Sequence, residues 1–195
     1  VSAGPFLVWL GEIGAAIEGR GEADVACGEC TACCRSGQFV LVGPEEHDAL
    51  AHIPAELLFP APHLPGHRVL GYDSHGRCPM LGDRGCTIYE HRPRTCRTYD
   101  CRVFAASGVA ADKPLVAERA SAWTFEHPAP EDASAHDAVR RAAAWLTEHA
   151  DELPEHVRPP HPTAIAVLAV QIHGEFLNGA PTNADVVRAA VEARG

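Results

Sequence analysis

The chain has 195 residues, the length of one domain, and its 46% apolar and 22% charged composition argues against wholesale disorder. A formal charge of -10 at pH 7, a pI near 5.6 and the lack of any Lys/Arg block argue against a surface that tracks DNA or RNA phosphates. We expect a single domain over 1–195, with a cysteine-cluster region over 22–104 and a mainly helical region over 105–195.

The first element expected is an amphipathic helix between Pro5 and Gly19. Phe6, Trp9, Leu10, Ile13 and Ile17 recur there at helical spacing, and Gly19 and Gly21 stop it. The apolar run Pro5 to Leu10 has no basic residues before it and is interrupted by Glu12, so it reads as neither a leader peptide nor a membrane span. Gly28 to Gly37 holds too many cysteines and small residues for regular structure and reads as a ligand loop.

Gln38 to Val42 is a short β-type run. Gly43-Pro44-Glu45-Glu46 then opens a short helix ending at His52, with acids in its first turn to complement the dipole. The prolines from Pro54 to Pro65 predict an extended loop. A strand over Arg68 to Tyr72 follows, with Ser74-His75-Gly76 as its turn. Past Pro93 the pattern allows one short helix.

The last half contains no cysteine. Ala133 to Leu153 reads as a helix with Val139, Ala142, Ala143, Leu146 and Ala150 inward. Pro162 to Leu177 is the most apolar helix, with Ile165, Leu168, Ile172 and Phe176 on one face and Asn178-Gly179 as its stop. Asn183 caps a final helix carrying Val186, Val187, Ala190 and Val191. The fold class expected is mainly α with short β-strands, an irregular cysteine-rich metal-binding lobe being packed on a C-terminal helical layer.

The chemistry lies in eight cysteines between Cys27 and Cys101. A cytoplasmic location is expected, and reducing cytosol makes stable disulfides rare, which leaves metal binding or thiol chemistry ahead of four disulfide bridges. The first group, Cys27, Cys30, Cys33 and Cys34, has two successive C-x-x-C steps, so one turn can aim several sulfurs at a centre. Side chains of Cys33 and Cys34 are expected to diverge on a non-helical backbone and to serve different metal atoms. The second group is Cys78, Cys86, Cys96 and Cys101, and it lacks the second C-x-x-C of a zinc ribbon.

Arg77, Arg84, Arg92, Arg94, Arg97 and Arg102 fall around that second group, and guanidinium groups there would favour ionised thiols. Arg92 and Arg97 are the candidates for contact with the bound centre. A solvated basic face is the plain alternative. Histidines are scattered, with His75 and His91 nearest the cysteines, and no nucleotide-binding or hydrolase signature is present. Tyr89, Tyr99 and Ile88 are expected to pack around the centre, and Trp9, Trp123 and Trp145 to be core.

These residues resemble the YkgJ-like cysteine-cluster family, whose CxxCxxCC motif is matched by Cys27 to Cys34. The resemblance continues through Cys78-Pro79-Met80-Leu81, Cys86-Thr87-Ile88-Tyr89, Arg92-Pro93, Cys96-Arg97 and Tyr99-x-Cys101, with Asp100 where members often have proline. It implies zinc or iron chelation. A related group, the flagellin lysine N-methylases, carries a similar motif, which brings modification chemistry into view.

The cofactor expected is an iron-sulfur cluster, with the 4Fe-4S form favoured, or Zn2+. The function expected is an iron-sulfur or polynuclear centre for redox or a modification reaction, the alternative being a zinc-stabilised binding or metal-handling module; reversible thiol redox sensing is a third reading. Partners expected are metal ions and a protein or peptide substrate or redox partner, with neither nucleic acid nor membrane.

Overall fold

Strand β1 (Ser2–Pro5) runs directly into helix α1 (Phe6–Ile17) in the computed structural model, which describes residues 1–194 apart from 24 and 26–28. Phe6, Trp9, Leu10 and Ile13 are buried on one face, as the helical spacing predicts. Past the helix, Gly19 takes φ +79 and its amide bonds the Ala16 carbonyl at 3.2 Å, the stop expected there.

Residues Ala16–Asp100 form one compact unit. A three-stranded antiparallel sheet, ordered β2-β4-β3, is built from β2 (Val40–Val42), β3 (Leu58–Pro60) and β4 (Arg68–Leu70), with helix α2 (His47–His52) between β2 and β3. Strand β3 falls in the proline-rich segment expected to be a loop. Pro60 is tolerated there because β3 is an edge strand, where a missing N–H breaks no ladder.

A two-residue hairpin follows, β5 (Leu81–Gly82) against β6 (Gly85–Cys86), and then helix α3 (Arg94–Thr98) after Pro93. The core of this unit is Val40, Val42, Ala49, Ile53, Leu70 and Ile88, with Cys78, Cys86 and Cys96 packed against it. The Thr95 hydroxyl donates to the Leu41 carbonyl at 2.7 Å, which fixes α3 to β2.

The second unit takes Val1–Ala15 together with Cys101–Gly195. It adds α4 (Arg102–Ser107), α5 (Pro114–Ser121), β7 (Thr124–Glu126), α6 (Pro130–Glu148), α7 (Pro162–Ile172) and α8 (Asn183–Arg194). β1 and β7 pair in parallel, Ser2 opposite Thr124 and Pro5 opposite Glu126. Val139, Ala142, Ala143, Leu146, Leu168 and Ala169 are buried in its core.

Helix α7 gives way to a 3-10 turn at His173–Phe176 rather than continuing to Leu177. Arg141 donates to the Phe176 and Gly179 carbonyls, satisfying groups that an ending helix leaves unpaired. The whole is mainly helical, 50% helix and 11% strand, with the cysteines concentrated in the N-terminal half and the longer helices C-terminal. No helix among the described residues is long and apolar enough to cross a membrane.

Candidate metal centre

The two cysteine groups are joined through the backbone. Cys33 and Cys34 begin a 3-10 turn, Cys33–Arg35, and the Cys78 amide donates to the Cys34 carbonyl at 2.7 Å. One turn away the Gly37 amide donates to the Gly76 carbonyl at 2.8 Å, so the two loops run together. The Asp73 carboxylate holds the incoming turn by accepting from the His75 and Arg77 amides, each at 2.9 Å. His75 thus sits in an Asp73-closed turn on the surface.

Cys86 is placed by the β5–β6 hairpin opposite Leu81, and Thr87 pins that hairpin through its amide and hydroxyl, both donating to the Met80 carbonyl. Cys96 is placed by α3. Cys30, Cys33, Cys34, Cys78, Cys86 and Cys96 are half-buried free thiols, and Cys101 is buried. Cys27 lies outside the described residues.

The sulfurs of Cys33 and Cys34 lie 3.9 Å apart. This corrects the expectation that they diverge: the 3-10 backbone turns adjacent side chains to neighbouring directions, where an extended backbone would oppose them. A tetrahedral zinc site with Zn–S bonds of about 2.3 Å has sulfur–sulfur edges of about 3.8 Å, so this pair can share one ion.

The thiols also feel one another. The Cys34 S–H bonds to Cys33 and pulls its pKa down from the ordinary 9.0 to about 7, with Arg92 helping and burial opposing. Cys34 is pushed up as the donor of that bond, by burial, and by the charges of Cys33, Cys78 and Cys96. Burial raises Cys78, with Cys86 and Cys33 adding to it, and it raises Cys96 to about 12, reinforced by Cys33, Cys78 and Cys86 and opposed by Arg92. Five thiols, Cys33, Cys34, Cys78, Cys86 and Cys96, therefore occupy one electrostatic neighbourhood.

Such a set fits a metal cation by its chemistry. Several thiolates cannot coexist half-buried without compensating positive charge, and ligation supplies that charge as the protons leave. Cys30 is half-buried in the first loop.

Arg92 reaches the thiols electrostatically while its guanidinium lies 3.5 Å from the centre of the Tyr89 ring and its Nε donates to the Tyr89 carbonyl at 2.7 Å. Arg97 is held otherwise, with Nε 3.1 Å from Glu22 Oε1. Ile88 is buried in the core, whereas Tyr89 is 52% exposed and its ring lies under the Arg92 guanidinium.

Cys101 belongs to the helical unit, where the buried Trp123 Nε1 donates to its sulfur at 3.4 Å. Trp9 and Trp123 are core, as expected, while Trp145 is half-buried and donates to Asn183 Oδ1 at 3.1 Å. Sequence reasoning passed over Asp48 and His52. Their spacing of four residues on a short helix was the signal, and the structure sets them beside His91.

Residues 26–118 match the family model CxxCxxCC, described as a "putative zinc- or iron-chelating domain". No curated protein and no solved structure matches the chain.

Proposed function

We propose, from the premise that the segment 26–118 belongs to the CxxCxxCC family, that this chain holds an iron-sulfur or related polynuclear centre, the four-iron form favoured. The observation that carries this reading is geometric: the Cys33 and Cys34 sulfurs lie 3.9 Å apart, the Cys78 amide bonds the Cys34 carbonyl, and Cys78, Cys86 and Cys96 pack against one core. A single tetrahedral ion takes four ligands, and a fifth thiol beside them calls for more than one metal atom.

In this reading Cys30, Cys33, Cys34, Cys78, Cys86 and Cys96 hold the metal. Cys27 and Cys101 join the set through the family's motif order alone. Arg92 offsets thiolate charge, Arg97 pairs with Glu22, and the Val40–Leu70–Ile88 core keeps water from one side. Such a centre supplies one-electron transfer, or serves a modifying enzyme acting on a protein or peptide. We place the protein in the cytosol, where thiols stay reduced.

Anaerobic purification tests this directly. Brown protein with iron and acid-labile sulfide in comparable amounts is expected. Colourless protein with stoichiometric zinc supports the second reading, a zinc-stabilised module, which the 3.9 Å Cys33–Cys34 separation favours. Protein free of metal, with thiols that label rapidly, overturns both.

A further inference from the structure

A separate cluster stands on the same unit without using sulfur. Asp48 and His52 lie one turn apart on α2, and His91 ends the 3-10 turn Tyr89–His91 that packs beside it. His91 Nδ1 lies 2.8 Å from Asp48 Oδ2, and the His52 and His91 rings stack with centroids 3.5 Å apart and planes 3° apart. One ligand atom from each of the three residues lies within 4.8 Å of the other two, and among the described residues this trio has that spacing.

The surroundings fix the rings in a ligand-ready state. His52 Nδ1 sits 2.8 Å from the Asp48 carbonyl, which accepts its proton and leaves Nε2 with a free lone pair. Asp48 Oδ2 lies 2.8 Å from His91 Nδ1, close enough for both atoms to face one ion once the proton between them leaves. A simple ion pair accounts for His91 with Asp48. It does not involve the His52 ring, which lies flat on His91.

We propose that Asp48, His52 and His91 form a second metal site, facing solvent and chemically distinct from the thiol cluster, that binds a divalent first-row ion such as zinc. Two imidazoles and a carboxylate suit a borderline divalent cation and reject soft monovalent copper. Three protein groups leave a position for water or an incoming donor. Side-chain exposures of 65% for Asp48, 41% for His52 and 40% for His91 make the ion exchangeable with solution. The site stands whether or not the cysteines hold iron.

Cobalt(II) is the probe, because only thiolate ligation gives intense sulfur-to-cobalt charge transfer in the near ultraviolet. Titration of the full chain, anaerobic and as purified, is expected to show one equivalent with visible bands and no added charge transfer. His52→Ala and His91→Ala weaken that equivalent by about tenfold or more, since even an outer-shell partner is worth about that much. His75→Ala and His127→Ala leave it in place.

A second readout needs no variant: paramagnetic broadening by cobalt singles out the ring signals of His52 and His91 in the unmodified chain. Absence of a thiolate-free equivalent, its survival in both alanine variants, or broadening centred on other histidines overturns the proposal.

Discussion

The Cys78 amide donates to the Cys34 carbonyl at 2.7 Å, and that bond joins the last thiol of the first cysteine group to the first thiol of the second. Ligands from distant stretches thereby meet through rigid backbone, so the groups should lose metal together. Cys30→Ser and Cys86→Ser are each expected to lower bound metal by about tenfold or more in affinity, on the scale of a lost ligand or its support. Metal analysis after dialysis against a weak chelator checks this. Unchanged metal in either variant removes that cysteine from the ligand set.

The Cys33–Cys34 pair makes a prediction about the metal-free thiols. The Cys34 S–H is the main reason Cys33 titrates near 7 instead of 9.0. Cys34→Ala should move Cys33 up toward the ordinary thiol value, while Cys34→Ser, which keeps a donor, should hold most of the depression. The pH profile of Cys33 alkylation in the reduced apo-protein measures it. Identical profiles for the two variants would show that the hydrogen bond does not set the acidity.

Asp132 is 3% exposed and serves two helices of the helical unit. Its carboxylate accepts from the Leu7 amide at 2.9 Å, in the first turn of α1, and from the Ala129 amide at 3.2 Å, at the start of α6. Asp132→Ala strands both donors and should cost about 2 kcal/mol or more in urea unfolding. A loss under about half that amount would mean water replaces the carboxylate.

His136 lies between the Phe6 ring, 4.3 Å away centre to centre, and His127, whose Nε2 is 2.8 Å from His136 Nδ1. Burial, then Arg140 and His127, hold its pKa below the usual 6.5. The unfolded chain thus binds the proton more readily. The contribution of this ring to stability is complete above pH 6.5 and fades as the pH falls from there through its lower folded value. Wild type should lose more stability than His136→Gln between about pH 7.5 and 5. Parallel losses would place the titration elsewhere.

Most of the helices were legible because their burial is periodic in sequence: Phe6, Trp9 and Ile13 in α1, Val139 and Leu146 in α6, Leu168 and Ile172 in the seventh. What escaped is non-local. The β1–β7 pair joins Ser2 to Thr124, and no local pattern announces a parallel pairing across that much chain. α4 and α5 were not anticipated, being short and set amid segments of mixed polarity. The cysteine spacing revealed the thiol group but misjudged Cys33 and Cys34, because a 3-10 turn brings together side chains that an extended loop would part. Asp48 and His52 looked like ordinary helix-surface residues until His91, folded in from the cysteine segment, met them.

X-ray absorption at the metal edge of the anaerobically purified chain tests the central claim most directly. The account predicts a first shell of sulfur at about 2.3 Å, with a second scattering shell from a neighbouring metal atom. A first shell of nitrogen and oxygen alone, or protein without metal whose cysteines are joined as cystines, would contradict it.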